Sequence, residues 1–193
     1  MTTANSALLV MDVQRDIVRI ADGSPGADPG LLPRLRRAID AARARRIPVI
    51  YVVIELRPDT RVSPRHQGLT SALRAGLFKA GEPGTAIHDA VAPQEGDTVV
   101  VKRRGSAFSG SDLDLVLRTH GVDSLVLAGI ATSGVVLHTV CQANDLDFGL
   151  TVLADGCLDL DPGTHRFLTE KLFPQWADVV TVDDWIKTLP QAR

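Results

Sequence analysis

Cysteine is nearly absent from this chain. The two present, Cys141 and Cys157, have no CxxC spacing and no histidine pattern beside them. Neither a disulfide framework nor a cysteine-based zinc site is expected, and buried thiols are the expectation. An excess of one charge is also missing. Formal net charge is −2, which leaves no basic footprint for nucleic acid or an anionic membrane. Long hydrophobic runs are missing too. The first apolar run, Ala7 to Met11, is far too short to span a bilayer and ends in Asp12. Neither a repeat nor a low-complexity tract nor a Gly/Ser linker interrupts the chain. Residence in the cytoplasm, with no nucleic-acid or membrane partner, is the expectation.

What is present is an ordinary core composition. Apolar residues make up 45% and charged residues 23% of 193 residues, enough for one domain, 1–193, with a substantial interior. Short Val/Leu/Ile runs alternate with amphipathic stretches. The runs are Ala7–Met11, Val49–Ile54, Thr98–Val101, Ser124–Ala128, Leu150–Leu153 and Asp178–Val182. Their unbroken apolarity predicts strands covered on both faces, as in a parallel sheet. Helices are predicted over Pro29–Arg46, Ser111–Thr119, Ser133–Asp147 and Pro162–Leu172, with short ones in 64–80 and 84–92. This rhythm implies an α/β fold, a three-layer α/β/α doubly wound sandwich with right-handed crossovers.

Three strand ends carry polar residues. Asp12 closes Ala7–Met11, and an aspartate there either caps the next turn or serves as a general acid or base. Lys102 closes Thr98–Val101 and is either a solvated charge or the ammonium partner of such a carboxylate. The third end runs Gly129-Ile130-Ala131-Thr132-Ser133-Gly134-Val135 into a helix. Its small and capping residues let backbone N–H groups face a ligand at a helix N-terminus, which suits an oxyanion hole.

This carboxylate, amine and glycine-bearing turn, in this order, resemble the active site of the isochorismatase-like (cysteine hydrolase) family. The segment Lys102-Arg103-x-x-Ser106-Ala107-Phe108-x-Gly110-x-x-Leu113 strengthens the resemblance. It implies a mainly parallel six-stranded sheet in order 3-2-1-4-5-6, with the site beyond the strand ends where the order reverses. It also implies a homo-oligomer, dimer or tetramer, acting on a small molecule without a cofactor. Asp12 and Lys102 become the catalytic pair. Ala131, Gly134 and Val135 form the oxyanion and nucleophile-position loop, with a non-proline cis bond expected at Ile130–Ala131. Gln14, Phe108 and Arg57 are the expected pocket residues, with Arg65 and Arg103 as further anchors for a substrate carboxylate.

One position departs from the family pattern. The usual nucleophilic cysteine is replaced by Val135, which has no lone pair. Cys141, six positions along a helix, points elsewhere. Cys157 sits in Asp155-Gly156-Cys157, which resembles a supporting loop, and Ser133 and Thr132 read as helix caps. Metal ligands of nicotinamidase-like members are replaced by Glu55-Leu56-Arg57, His66 is isolated, and no metal is expected. Three functions follow as expectations. The first is vinyl-ether hydrolysis of the isochorismate type with Asp12 as general acid and no thioester. The second is an inactive small-molecule-binding or oligomeric partner. The third is an amidase with a non-cysteine nucleophile.

Overall fold

A computed structural model describes residues 5–190. Six strands, β1 (Ser6–Met11), β2 (Val49–Ile54), β3 (Thr98–Lys102), β4 (Ser124–Ile130), β5 (Gly149–Leu158) and β6 (Asp178–Val180), form one sheet in order β3-β2-β1-β4-β5-β6. All five pairings are parallel. Seven α-helices surround it: α1 (Arg15–Asp22), α2 (Leu31–Arg43), α3 (Gln67–Arg74), α4 (Leu113–Thr119), α5 (Leu137–Asp145), α6 (Pro162–Phe167) and α7 (Val182–Thr188). No helix among the described residues is long and apolar enough to cross a membrane.

The unbroken strands feed two cores. Ala7, Leu9 and Met11 of β1 join Leu113, Leu117 and Val140 on one face. Leu8 and Val10 join Leu35, Ile39 and Trp185 on the other. Successive side chains point to opposite faces, so a strand buried on both must be apolar throughout. β3 lies at the edge, and Val99 leaves 46% of its surface to water.

Several predicted boundaries shift for local reasons. α2 is shorter than Pro29–Arg46, because Arg46 takes a φ of 57° and reverses the chain towards β2. α5 starts later than Ser133. Thr132–Val136 instead forms one wide π-type turn, broken at Gly134 by φ −94° and ψ −109°. The Asp155-Gly156-Cys157 segment is strand rather than loop, since Cys157 pairs with Gly129 and Leu158 with Ile130 after a bulge. α1 and α7 lie outside the predicted helices. Each is only two turns long, too short for a strong period.

Gly129 sets how closely β1 and β4 approach at the site. It is opposite Met11, has a φ of 149°, and a Cβ there would lie 2.1 Å from the Met11 carbonyl oxygen. Only glycine permits that contact.

Candidate active site

Topology joins the three polar strand ends. Asp12 follows β1 in the left-handed region, with φ 55°, and its N–H donates to Val52 O at 2.8 Å. Aspartate tolerates that conformation better than most residues. Lys102 ends β3, two strands away, a separation of roughly 10 Å at sheet spacing. Its side chain crosses the end of β2, and Nζ lies 2.9 Å from Asp12 Oδ2. A second bond from Nζ reaches Arg104 O at 2.9 Å.

Both charges are buried, with Asp12 6% and Lys102 2% exposed. Burial pushes the Asp12 carboxyl up to about 6, while the Lys102 charge and hydrogen bond pull it down. Asp12 Oδ1 is buried and has no hydrogen-bond partner among the described residues. An orphaned oxygen of this kind is expensive. Asp12 itself lines a cavity of about 420 Å³, together with Lys102, Ile130, Ala131, Gly134 and Val135 among others.

The Ile130–Ala131 peptide is cis. Two anchors hold the turn that follows. Ser133 N–H donates to Asp159 Oδ2 at 2.7 Å, and the buried Thr132 hydroxyl lies 2.8 Å from His165 Nδ1. Burial lowers the His165 pKa against the raising effects of Asp159 and Asp28. Thr132 and Ser133 are thus tied into the scaffold rather than capping through their side chains.

The structure does not bring every expected residue to the cavity. Gln14 is buried beside it as a clip: Nε2 donates to Ile54 O at 3.1 Å and Thr85 O at 2.7 Å, and Oε1 accepts from Ile54 N–H at 2.9 Å. Having spent its amide on backbone, it is absent from the lining. Phe108 belongs to the core, 5.9 Å from the Phe148 ring, because Ser106 and Thr139 fold its segment inwards through bonds to the Phe108 and Ala107 N–H groups. Arg57 is solvated near Asp59, and Arg65 and Arg103 are also outside the lining. Arg103 instead donates to Glu55 O at 3.1 Å.

Other residues take those places. Arg104, His66, His138, Phe78, Ile17, Ile20 and Leu160 all line the cavity. His138 could have been found from spacing, since it lies three positions after Val135 and shares its helical face. Nothing local marks His66, which caps α3 by accepting the Leu69 N–H on Nδ1. Neither cysteine lines the cavity. Cys141 is exposed, and burial pushes the Cys157 thiol up to about 12, where it is inert. Among the described residues, no group of three or more His, Cys, Asp or Glu side chains is placed to hold a metal.

The Isochorismatase domain family model matches residues 6–184. The chain is 34% identical over 169 residues to a probable inactive nicotinamidase of Arabidopsis thaliana, covering 83% of this chain and 84% of that one. It is 30% identical over 177 residues to N-carbamoylsarcosine amidase of an Arthrobacter species, covering 88% and 67% respectively. Among solved structures, an isochorismatase family protein from Desulfovibrio vulgaris superposes with a TM-score of 0.78 at 30% identity, covering 95% of this chain and 98% of that one. With the sheet order, the strand-end site and a match along nearly its whole length, this chain belongs to the isochorismatase family.

Proposed function

We propose that this chain is a small-molecule hydrolase in which Asp12 supplies the proton and no covalent bond forms at residue 135. Asp12 carries this reading: it lines the cavity, its buried Oδ1 has no hydrogen-bond partner among the described residues, and burial pushes its carboxyl up to about 6. A carboxyl raised towards neutrality is suited to general acid work. Val135 stands for the missing nucleophile. It lines the same cavity from the π-type turn that precedes α5, and its side chain offers only carbon.

Vinyl-ether hydrolysis fits these groups. Asp12 gives its proton to the terminal alkene carbon, leaving an oxocarbenium ion and the carboxylate. Water then attacks the cationic carbon, and its released proton returns to Asp12. The resulting hemiketal collapses to a carbonyl compound and an alcohol. Lys102 holds the carboxylate formed after transfer, and the N–H groups of the Ala131–Val135 turn suit the negative oxygen charge that develops on the leaving alkoxide when the hemiketal collapses. Arg104 replaces Arg57 and Arg103 as the arginine at the cavity.

Asp12→Asn keeps the side-chain shape and removes the acid. Vinyl-ether turnover should fall about 10²–10⁴-fold, the usual contribution of a positioned acid. Turnover equal to the wild type would sink the assignment. Val135→Cys tests the other half. A thiol at this helix start should create amide hydrolysis that iodoacetamide abolishes. If the wild type already hydrolyses amides at the rate of that variant, residue 135 is not the nucleophile position.

A second reading, binding without turnover, is favoured by the name of the 34% identical Arabidopsis relative, a probable inactive nicotinamidase. It predicts that vinyl ethers, amides and carbamates all remain uncleaved while a ligand still occupies the cavity. The Asp12→Asn comparison separates the two, because only an active enzyme can lose a rate.

A further inference from the structure

The cavity has a polar floor, but its walls are carbon. Leu69, Leu77, Phe78, Ile20, Val135 and Leu160 all line it. Ile20 and Leu160 leave 36% and 41% of their surface to water at its edge. Covering such carbon with an apolar ligand gains roughly 25 cal/mol per Å².

Phe78 forms part of that apolar wall. Its φ is 64°, a left-handed conformation that is an outlier for a bulky side chain and costs on the order of 1 kcal/mol or more. Two backbone bonds enforce it: Leu56 N–H donates to Phe78 O at 2.7 Å, and Ala80 N–H donates to Leu56 O at 3.1 Å. The clamp fastens this turn beside the end of β2 and leaves the ring half-buried at the cavity.

The cations at the cavity are already partly engaged by the protein. Lys102 is divided between Asp12 and Arg104 O. Arg104 donates from Nη1 to Arg103 O at 2.7 Å and from Nη2 to Arg61 O at 3.1 Å. His66 and His138 have Nδ1 engaged by Leu69 N–H and Gly134 O. Most of the remaining lining is carbon, which favours a ligand with an apolar body over a compact, wholly polar acid.

We infer that the substrate carries an apolar body, an aryl or branched-alkyl group of about the size of a benzene ring, seated against Phe78. For the reacting group alone, the inference rests on the acid-hydrolase reading. Phenyl vinyl ether joins both elements. Protonation of its terminal carbon, water addition to the adjacent carbon and collapse of the hemiacetal give phenol and acetaldehyde. Ethyl phenyl ether has the same ring but no alkene to protonate, so it reports binding only.

The experiment measures binding of ethyl phenyl ether and of N-carbamoylsarcosine to the full chain by saturation-transfer NMR and calorimetry. The ether should bind more tightly than the polar acid. Phe78→Gly removes the ring at a backbone conformation glycine prefers, so the fold is kept. It should weaken the ether about tenfold, and Ile20→Asn about threefold, as expected for lost apolar and aromatic contact. Tighter binding of N-carbamoylsarcosine, or ether affinity unchanged in both variants, overturns the inference. Release of phenol from phenyl vinyl ether is scored separately. Ether binding that depends on Phe78 without phenol release keeps the apolar-body inference and defeats the acid-hydrolase reading. Phenol release that ignores Phe78→Gly and Ile20→Asn does the reverse.

Discussion

The floor and the wall of this cavity are built on different principles. The floor, Asp12, Lys102 and the Ile130–Val135 turn, sits on three strand ends of one parallel sheet, with Asp12, Lys102, Ile130, Thr132 and Val135 buried. Gly129 brings β1 and β4 into contact there, and Gln14 pins the end of β2 between Asp12 and Lys102. The wall comes largely from α3 and the turn after it, where His66 and Gly68 are exposed and Phe78 is half-buried. Two backbone bonds and a small apolar cluster around Leu56 and Leu69 hold that region. Chemistry is therefore mounted on the rigid layer, and shape on the connection that can vary without disturbing the sheet.

The sharpest way to test this contrast is pH. If the floor supplies a proton, turnover requires Asp12 protonated and should fall tenfold per pH unit above about 6. A rate that instead rises through the same range would assign a base. Stability should move in parallel. A folded value of about 6 lies above the ordinary 3.8, so the native state binds more protons between them and loses stability as pH rises across that window. Urea melts of the wild type against Asp12→Asn should show this slope flattened in the variant.

Lys102→Gln gives the next largest effect. The ammonium lowers the Asp12 value, so its removal should move the falling limb of the pH–rate profile to higher pH. A limb that stays in place would mean that the pair is not coupled.

Gln14→Leu probes the support beneath the floor. It strands the Ile54 N–H and two backbone carbonyls in a buried site, which should cost about 1–3 kcal/mol in a urea melt. A change under 0.5 kcal/mol would show that the clip does not stabilise the end of β2. Arg57→Ala should do least. The residue is solvated and outside the lining, so stability should stay within about 0.5 kcal/mol and KM should not change. A large rise in KM would return Arg57 to the wall.

The strands were legible because both sheet faces are covered and an uninterrupted apolar run has few other uses. Asp12 and Lys102 were legible because a charge at the end of such a run is conspicuous. Phe108 was misread for a related reason. A phenylalanine near a polar loop looks the same in sequence whether it faces a cavity or a core, and bonds from Ser106 and Thr139 to neighbouring N–H groups turn it inwards. Phe78 was missed because its role depends on a left-handed φ imposed by Leu56 across a gap of more than twenty residues. His66 looked isolated because its partner at the cavity, His138, comes from α5, seventy-two residues further along the chain.

By itself, the sequence determined a doubly wound α/β domain, the polar strand ends and a valine, with no nucleophilic atom, at residue 135, since these follow from side-chain type and period. Only the tertiary structure decided which oxygen of Asp12 lacks a partner, which arginine reaches the cavity and which phenylalanine lines it. Those outcomes depend on distances between residues far apart in the chain, and burial and hydrogen bonding are properties of neighbours that a linear order does not specify.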